Sequence, residues 1–145
     1  MEEKKKYKIG YTQGTFDMFH IGHLNLLNNA KKYCEYLIVG VNTDCLVKAY
    51  KEKVPVVGEK DRLTIIENIK SVDKAVLTDT LDKMTAFEKY HFDAVFIGDD
   101  WKGSSRWKET EEMMKEQNVD VIFLPHTKGI SSTILRDTKD EAVGE

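Results

Sequence analysis

The sequence is poor in the residues that mark several special classes of protein. It has two cysteines, two prolines and nine glycines in 145 residues. Two cysteines outside any CxxC pattern exclude a disulfide-rich secreted scaffold and give no support to a Cys-rich zinc site. Low glycine and proline exclude collagen-like and low-complexity chains. The composition, 41% hydrophobic and 32% charged, predicts one globular domain over residues 1–145, with a core at about 7–136 and charged, frayed ends.

Charge of one sign and long apolar runs are also lacking. The net charge is −3, whereas general nucleic-acid binders are usually basic, so we expect no nucleic-acid partner. The longest apolar runs, such as Tyr36–Val41, fall far short of the roughly 18 residues of a membrane span. The charged start at residues 1–6 lacks the apolar stretch of a signal peptide. We therefore expect a cytoplasmic protein that does not insert into membranes.

Strand-like and helix-like periods alternate along the chain. Strands are predicted at Tyr7–Thr12, Glu35–Asn42, Lys74–Leu77, Asp93–Ile97 and Asp120–Leu124. Helices are predicted at Gly22–Tyr33, Thr43–Tyr50, Glu59–Lys70, Asp82–Tyr90, Arg106–Gln117 and Ser131–Thr138, and a loop at Lys51–Gly58. This alternation predicts an α/β fold, a single Rossmann-like doubly wound five-stranded parallel sheet with helices on both faces. Ligands of such sheets bind beyond the carboxyl ends of the strands, which directs attention to residues 13–23, 43–58, 98–103 and 125–133.

The stretch from Gln13 to His23 leaves the first strand and opens the first helix. Gly14 allows a tight turn with the backbone close to a ligand. The start of the helix offers unpaired N–H groups and a partial positive charge to an anion. His20 and His23, three residues apart, project from one face, with the small Gly22 between them. An imidazole can donate a hydrogen bond without a full fixed charge, so the pattern favours phosphate binding.

Two other interpretations of this histidine pair remain open. A histidine at a helix start is often only a cap or a surface residue. A HxxH pair could ligate zinc, but the zinc peptidases space their histidines at i and i+4 and add a glutamate. Ile21 and Gly22 lie between the histidines of this sequence, and we predict no metal site.

These residues carry a resemblance to a known family. Gly14–Asp17 followed by His20–His23 is similar to the GTFDxxHxGH signature of the cytidylyltransferase-like nucleotidyltransferases. The resemblance covers about residues 7–136, and its nearest form is the bacterial glycerol-3-phosphate cytidylyltransferase group. Later matches support it: Asn42–Asp44, the lysines of the 51–58 loop, the Glu59–Arg62 helix start, Gly98–Trp101 and Pro125–Thr133.

The resemblance implies a role for each matching residue. His20, His23, Lys51 and Lys53 are expected to act in catalysis. The acceptor is expected to contact Asp17, Lys51, Arg62, Lys83 and Trp101, with an outer-shell metal role as the alternative for Asp17. The nucleotide is expected to contact Gly14, Thr15, Phe16, Gly22, Asp100, His126, Thr127, Gly129, Ile130, Ser131, Ser132 and Thr133.

The sequence departs from the family pattern in its last block. His126 stands where the family usually has an arginine, and an imidazole does not reproduce the guanidinium fork. The run from Ser131 to Arg136 also resembles a block of the related adenylyltransferases. Three functions therefore stay open: a cytidylyltransferase, an adenylyltransferase of the same superfamily such as an FAD synthetase-like enzyme, and a non-catalytic nucleotide-binding module.

The implied reaction transfers CMP from CTP to a small phospho-alcohol, most simply glycerol 3-phosphate, and gives CDP-glycerol and pyrophosphate. Neither cysteine has a partnered histidine and no GxSxG is present, so we expect direct in-line attack without a covalent intermediate. Mg²⁺ is expected on the triphosphate. The resemblance also implies a homodimer and a place in making precursors of cell-wall or capsular polymers, such as teichoic acid.

Overall fold

Five strands and five helices alternate in a computed structural model that describes residues 6–99 and 102–125. The strands are β1 (Tyr7–Gly14), β2 (Cys34–Asn42), β3 (Lys74–Thr78), β4 (Ala94–Gly98) and β5 (Asp120–Leu124). The helices are α1 (Ile21–Tyr33), α2 (Asp44–Lys51), α3 (Glu59–Glu67), α4 (Lys83–Tyr90) and α5 (Ser105–Glu116). The predicted helix at 131–138 lies outside the described residues, as do Asp100, Trp101, His126, Thr127, Gly129, Ile130, Ser131, Ser132, Thr133 and Arg136.

Most element boundaries agree with the sequence prediction to within two residues. The exception is α3, which was predicted to continue to Lys70 but ends at Glu67. Asn68 leaves helical geometry there, and tight turns follow in which Ile69 and Val72 donate backbone hydrogen bonds to residues three before them. These turns bring Ile69 and Val72 against the core, which an extra helical turn would not do.

All strand pairs in the sheet are parallel, and the strand order is β3-β2-β1-β4-β5. The first strand is therefore the central one. The chain builds outward from β1 on one side, then crosses back to build β4 and β5 on the other. This order is that of a doubly wound sheet, and it places a crevice at the carboxyl end of β1.

Helices cover both faces of the sheet, as predicted. On one face, α1 and α3 bury Leu27 and Ile66 in a cluster with apolar side chains of β2 and β4. On the other face, α4 and α5 bury Ala86, Trp107 and Met114 in a second cluster. Among the described residues, no helix is both long enough and apolar enough to cross a membrane.

Candidate active site

The turn between β1 and α1 holds an unusual backbone. Phe16 and Met18 have φ angles of 55° and 50°, in the left-handed region that residues with a side chain rarely adopt. Such conformations persist only where the surrounding structure enforces them, and they are common at functional sites. Phe16 is enforced by burial, since its ring is 4% exposed in the core cluster under α1. The turn delivers His20 to the first position before the helix.

The two histidines of the motif cap α1 reciprocally. His20 is the N-cap residue, and its Nδ1 accepts a hydrogen bond of 3.0 Å from the backbone N–H of Gly22. His23 reaches back, and its Nδ1 accepts from the backbone N–H of His20 at 3.2 Å. This is the arrangement of a capping box, with imidazoles in place of the usual hydroxyl and carboxylate. The capping interpretation of the histidines is thus confirmed, and it does not compete with a chemical role.

Capping fixes which nitrogen of each ring carries the proton. A nitrogen that accepts an N–H hydrogen bond has no proton of its own, so each neutral ring must be protonated on Nε2. The two rings stack with centroids 3.8 Å apart and planes 24° from parallel. His20 Nε2 is the buried side-chain nitrogen that has no hydrogen-bond partner among the described residues. The pair therefore presents Nε2–H donors, one of which has no acceptor in the described structure.

The surroundings keep both rings neutral. Burial lowers the pKa of His20 below its ordinary value. Burial, reinforced by the neighbouring His20, lowers the pKa of His23 to about 4, although the Asp17 carboxylate opposes the shift. The rings of Phe16 and Phe19 lie 5.5 and 5.4 Å from that of His23, which explains the loss of water around it. At neutral pH the pair donates hydrogen bonds without carrying charge.

Asp17 fastens the loop that bears the lysines. Its side chain is buried, and its two carboxylate oxygens accept hydrogen bonds of 2.8 Å from the backbone N–H groups of Val56 and Val57. The loop is thereby held against the turn that carries the histidines. The structure gives Asp17 a loop-holding role, and its contact with an acceptor stays a prediction.

Arg62 performs a similar task from the opposite side of the loop. It is 1% exposed, and its guanidinium donates to the backbone carbonyls of Thr15, Asn42 and Val57 at 2.6–2.8 Å. The guanidinium also forms an ion pair of 2.5 Å with Asp44, whose side chain is partly exposed. Arg62 thus joins the ends of β1 and β2 to the lysine loop. The contact of Arg62 with an acceptor stays a prediction.

A polar network crosses the carboxyl end of the sheet. Gln13 and Asn42 are 8% and 4% exposed. The Gln13 side-chain amide donates to Asn42 Oδ1 at 2.9 Å and to the Thr80 carbonyl at 2.8 Å, while its oxygen accepts from the Tyr11 hydroxyl at 2.9 Å. Gly40 makes room for this network, because any Cβ there would collide with the Tyr11 phenol. The sequence analysis included Gln13 and Asn42 in its motifs but did not predict their contact with each other or with Thr80.

The network ends on hydroxyl groups beside the lysine loop. Asn42 Nδ2 donates to Thr15 Oγ1 and to the Tyr50 hydroxyl, both at 3.3 Å, and these two oxygens are 3.1 Å apart. Lys51 places its Nζ 5.7 Å from the centre of the Tyr50 ring. Lys51 and Lys53 are both exposed. The lysines therefore face solvent at the edge of the turn that carries the histidines.

Lys83 is the first residue of α4. It is 6% exposed, donates to the Leu81 carbonyl at 3.0 Å and lies 5.5 Å from the centre of the Trp107 ring. Burial, together with the charge of Arg106, lowers the pKa of Lys83 to about 8, with Asp82 opposing the shift. Lys83 begins the helix that follows β3 and contacts the second core cluster, on the other face of the sheet from the histidines.

The structure brings most of the described candidate residues together. The residues gathered at the carboxyl end of β1 are Gly14, Thr15, Phe16, Asp17, His20, Gly22, His23, Lys51, Lys53 and Arg62. Lys83 lies at the start of α4, and its contact with an acceptor stays a prediction. Tyr50 was missed, whereas Asn42 lies in a motif that supports the resemblance and is a polar residue at the end of a largely apolar strand. Tyr50 carries no such signal, since a tyrosine in a short amphipathic helix is ordinary.

Comparisons with known proteins agree with this geometry. Residues 11–138 match the cytidylyltransferase-like family. The chain is 38% identical over 126 residues to the glycerol-3-phosphate cytidylyltransferase of Bacillus spizizenii, covering 86% of this chain and 92% of that one. It is 33% identical over 127 residues to the enzyme of the same name from Bacillus subtilis, covering 87% and 92%.

A solved structure shares the fold as well. The lipopolysaccharide core biosynthesis protein of Thermoplasma volcanium superposes with a TM-score of 0.69 at 25% identity, covering 86% of this chain and 99% of that one. The family match spans nearly all of the described sheet and the histidine pair. We conclude that the chain belongs to the cytidylyltransferase-like family and is a nucleotidyltransferase.

Proposed function

We propose that the chain transfers CMP from CTP to a small phosphorylated alcohol, with glycerol 3-phosphate as the acceptor. The products are CDP-glycerol and pyrophosphate. The observation that carries the proposal is the stacked pair of neutral histidines, whose backbone-fixed tautomers present Nε2–H donors at the carboxyl end of β1. The names of the two Bacillus relatives support CTP and glycerol 3-phosphate as the substrates.

The reaction proceeds by direct displacement at the α-phosphorus of CTP. An oxygen of the acceptor phosphate forms the new P–O bond, and the bond to the bridging oxygen of the β-phosphate breaks. Negative charge grows on the α-phosphate oxygens and on the leaving pyrophosphate. His20 and His23 donate hydrogen bonds to these oxygens from a water-poor site, where such donors stabilise charge most effectively. Because both Nδ1 atoms are engaged by backbone N–H groups, neither ring acts as a general base.

The exposed lysines reduce the electrostatic repulsion that arises when the acceptor phosphate approaches the triphosphate. Lys51 and Lys53 lie on the loop that Asp17 and Arg62 hold against the histidine turn. Their charge reduces the repulsion between acceptor phosphate and triphosphate, and the held loop orients the two reactants. Positioning and charge compensation are the main needs of such a transfer.

Magnesium enters this reaction as part of the substrate, MgCTP. No group of three or more His, Cys, Asp or Glu residues that could hold a metal ion occurs within residues 6–99 and 102–125. Asp17, the carboxylate nearest the motif, has both oxygens engaged by the loop. In this proposal the metal would be bound mainly by phosphate and water oxygens, in keeping with its preference for oxygen ligands.

Pyrophosphate release tests the proposal directly. The assay compares MgCTP with MgATP, each with and without glycerol 3-phosphate. We expect release only with MgCTP and the acceptor together. Release with MgATP would replace the proposal by the adenylyltransferase, and binding of CTP without any turnover would replace it by the nucleotide-binding module.

Two substitutions test the histidines without removing their caps. In His20→Asn and His23→Asn the amide oxygen can take the place of Nδ1 as acceptor, and asparagine is a favoured N-cap residue. Each variant loses the Nε2–H donor, so we expect kcat to fall about 10²–10³-fold. His91→Asn is the matched control, because His91 is exposed and left-handed at the end of α4, a conformation that asparagine tolerates.

A change in kcat is interpreted only for variants that still fold. Thermal unfolding of all three variants should stay cooperative, so that a loss of kcat reports the chemical step. A kcat within twofold of the parent enzyme in His20→Asn or His23→Asn would remove that histidine from the mechanism. The homodimer, the cytoplasmic location and the role in polymer biosynthesis stay predictions, the first of which sedimentation would test.

A further inference from the structure

We infer that Tyr50 is a positioning residue. Its hydroxyl joins the end of α2 to Thr15 by a hydrogen bond, and its ring lies close to the ammonium group of Lys51. The inference rests on the proposed function, because it concerns how the same site aligns its substrates. Tyr50 itself belongs to none of the motifs that carry the family resemblance. The side-chain amides of Gln13 and Asn42, both buried, have fixed orientations.

The Thr80 carbonyl fixes the orientation of the first amide. A carbonyl can only accept, so the Gln13 atom 2.8 Å from it must be the NH₂ group, which also donates to Asn42 at 2.9 Å. The Asn42 atom facing Gln13 must then be the oxygen. It follows that the Asn42 NH₂ group points the other way, toward Thr15 and Tyr50.

A proton count then describes the two hydroxyl groups. Thr15 Oγ1 and the Tyr50 oxygen each receive an N–H from Asn42, and they lie 3.1 Å apart. One of the two hydroxyl protons lies between these oxygens, since that separation is a hydrogen bond in which either atom can donate. The hydrogen-bonded hydroxyl pair thus links Thr15, the residue that follows β1, to Tyr50 in the last turn of α2. We call this pair the link. Its second hydroxyl proton is available to donate to another group.

The link fixes the part of the chain that bears the lysines. Tyr50 is followed directly by Lys51, whose Nζ lies 5.7 Å from the centre of the Tyr50 ring. The chain turns sharply at Glu52, a left-handed residue with φ of 58°. Asp17 secures the far end of the loop through Val56 and Val57. Tyr50 secures the near end, so the loop is tied at both ends to the turn that carries the histidines.

Thr15 is likewise held twice. Arg62 binds its carbonyl, and the link binds its hydroxyl. Without the link, no side-chain hydrogen bond would join Thr15 to Tyr50, the residue that directly precedes Lys51. The consequence for turnover is a loss of alignment between nucleotide and acceptor rather than a loss of nucleotide affinity. Small misplacements of reacting groups can lower rates strongly.

The test removes the hydroxyl and keeps the ring. We expect Tyr50→Phe to lower kcat about 10-fold, with the KM for MgCTP changed less than about twofold, so that the effect is on alignment. Thr15→Val should lower kcat by a similar factor, Thr15→Ser should restore it, and the double variant should be no slower than either single variant. Tyr36→Phe, at an exposed position in the first half of β2, is the control and should match the parent enzyme.

A spectroscopic readout keeps the test independent of turnover. The side-chain NH₂ resonances of Asn42 should shift in Tyr50→Phe and stay unmoved in Tyr36→Phe. Two results with an active parent enzyme would refute the inference and leave the proposed function intact. One is a Tyr50→Phe variant with the same kcat as the parent. The other is a double variant in which the kcat losses of Tyr50→Phe and Thr15→Val multiply. A parent enzyme without turnover would refute the proposed function, and unmoved Asn42 resonances in that case would refute the link too.

Discussion

The low pKa of His23 makes protein stability depend on pH in a direction that can be measured. The ring has an ordinary pKa of 6.5 when exposed and a pKa of about 4 in the folded protein. Between these values the unfolded chain binds a proton that the folded protein does not. Stability from this source is therefore complete above pH 6.5 and is lost as the pH falls toward 4.

The size of the effect follows from the shift. Each pKa unit corresponds to about 1.4 kcal/mol, so a difference from 6.5 to about 4 corresponds to about 3 kcal/mol of unfolding free energy. The causes are visible in the structure: burial among Phe16 and Phe19, and a second imidazole stacked 3.8 Å away. Protonation of His23 would place a proton on Nδ1, which now accepts a hydrogen bond from the His20 N–H. The loss of this hydrogen bond further disfavours the protonated ring.

The perturbation is His23→Asn, which keeps an acceptor for the His20 N–H and removes the titration. Urea unfolding of the parent enzyme and the variant at intervals from pH 7.5 to 4 gives two curves of free energy against pH. All other titrating groups except His20 contribute nearly equally to both. We expect the parent curve to fall by about 2–3 kcal/mol more than the variant curve across this interval. Parallel curves, or an NMR titration of His23 with a midpoint near 6.5, would refute the reasoning.

Three further predictions concern groups that hold the site in place. Arg62→Met should lower the unfolding free energy by about 3–5 kcal/mol in chemical denaturation, because it leaves buried carbonyls without donors; a loss below about 1 kcal/mol would contradict the role of Arg62 as a brace. Asp17→Asn should speed hydrogen exchange at the Val56 or Val57 amide, because an amide offers one oxygen where the carboxylate offers two; unchanged exchange at both would contradict the loop-holding role. Lys83→Met should raise the unfolding free energy by about 2–3 kcal/mol at pH 7. This gain should shrink as the pH rises from 8 to 10.5, because the buried ammonium of the parent protein then loses its proton. A gain that does not change with pH would mean that the ammonium is not the cause.

Much of the fold could be predicted because its causes are local in sequence. Apolar runs that alternate with helical periods imply parallel strands, and the structure confirms five of them. The histidine pair could be placed at a helix start for the same reason, since the spacing of His20 and His23 is a local property. The end of α3 was missed because it depends on tight turns packed against the core, which the pattern of residues 59–70 does not show.

The supports of the site could not be predicted, because they join residues far apart in the chain. Asp17 binds amides 39 and 40 residues away, and Arg62 binds a carbonyl 47 residues away. A sequence shows that such groups are polar but not which partners they will find. The resemblance implies that both residues contact an acceptor, and that contact stays a prediction. Their burial and their bracing contacts arise only from the assembled sheet.

The position of β1 in the middle of the sheet has a consequence for the order in which the protein is made. One neighbour, β2, ends at Asn42, whereas the other, β4, begins only at Ala94. A growing chain that has passed Thr80 already contains every residue of the turn, the lysine loop and the polar network. At that point β1 can pair with β2, but its other side still lacks its partner β4. The described cluster around the histidine turn is thus synthesised before the second half of the sheet exists, and during synthesis the unpaired side of β1 is the surface most exposed to wrong pairing.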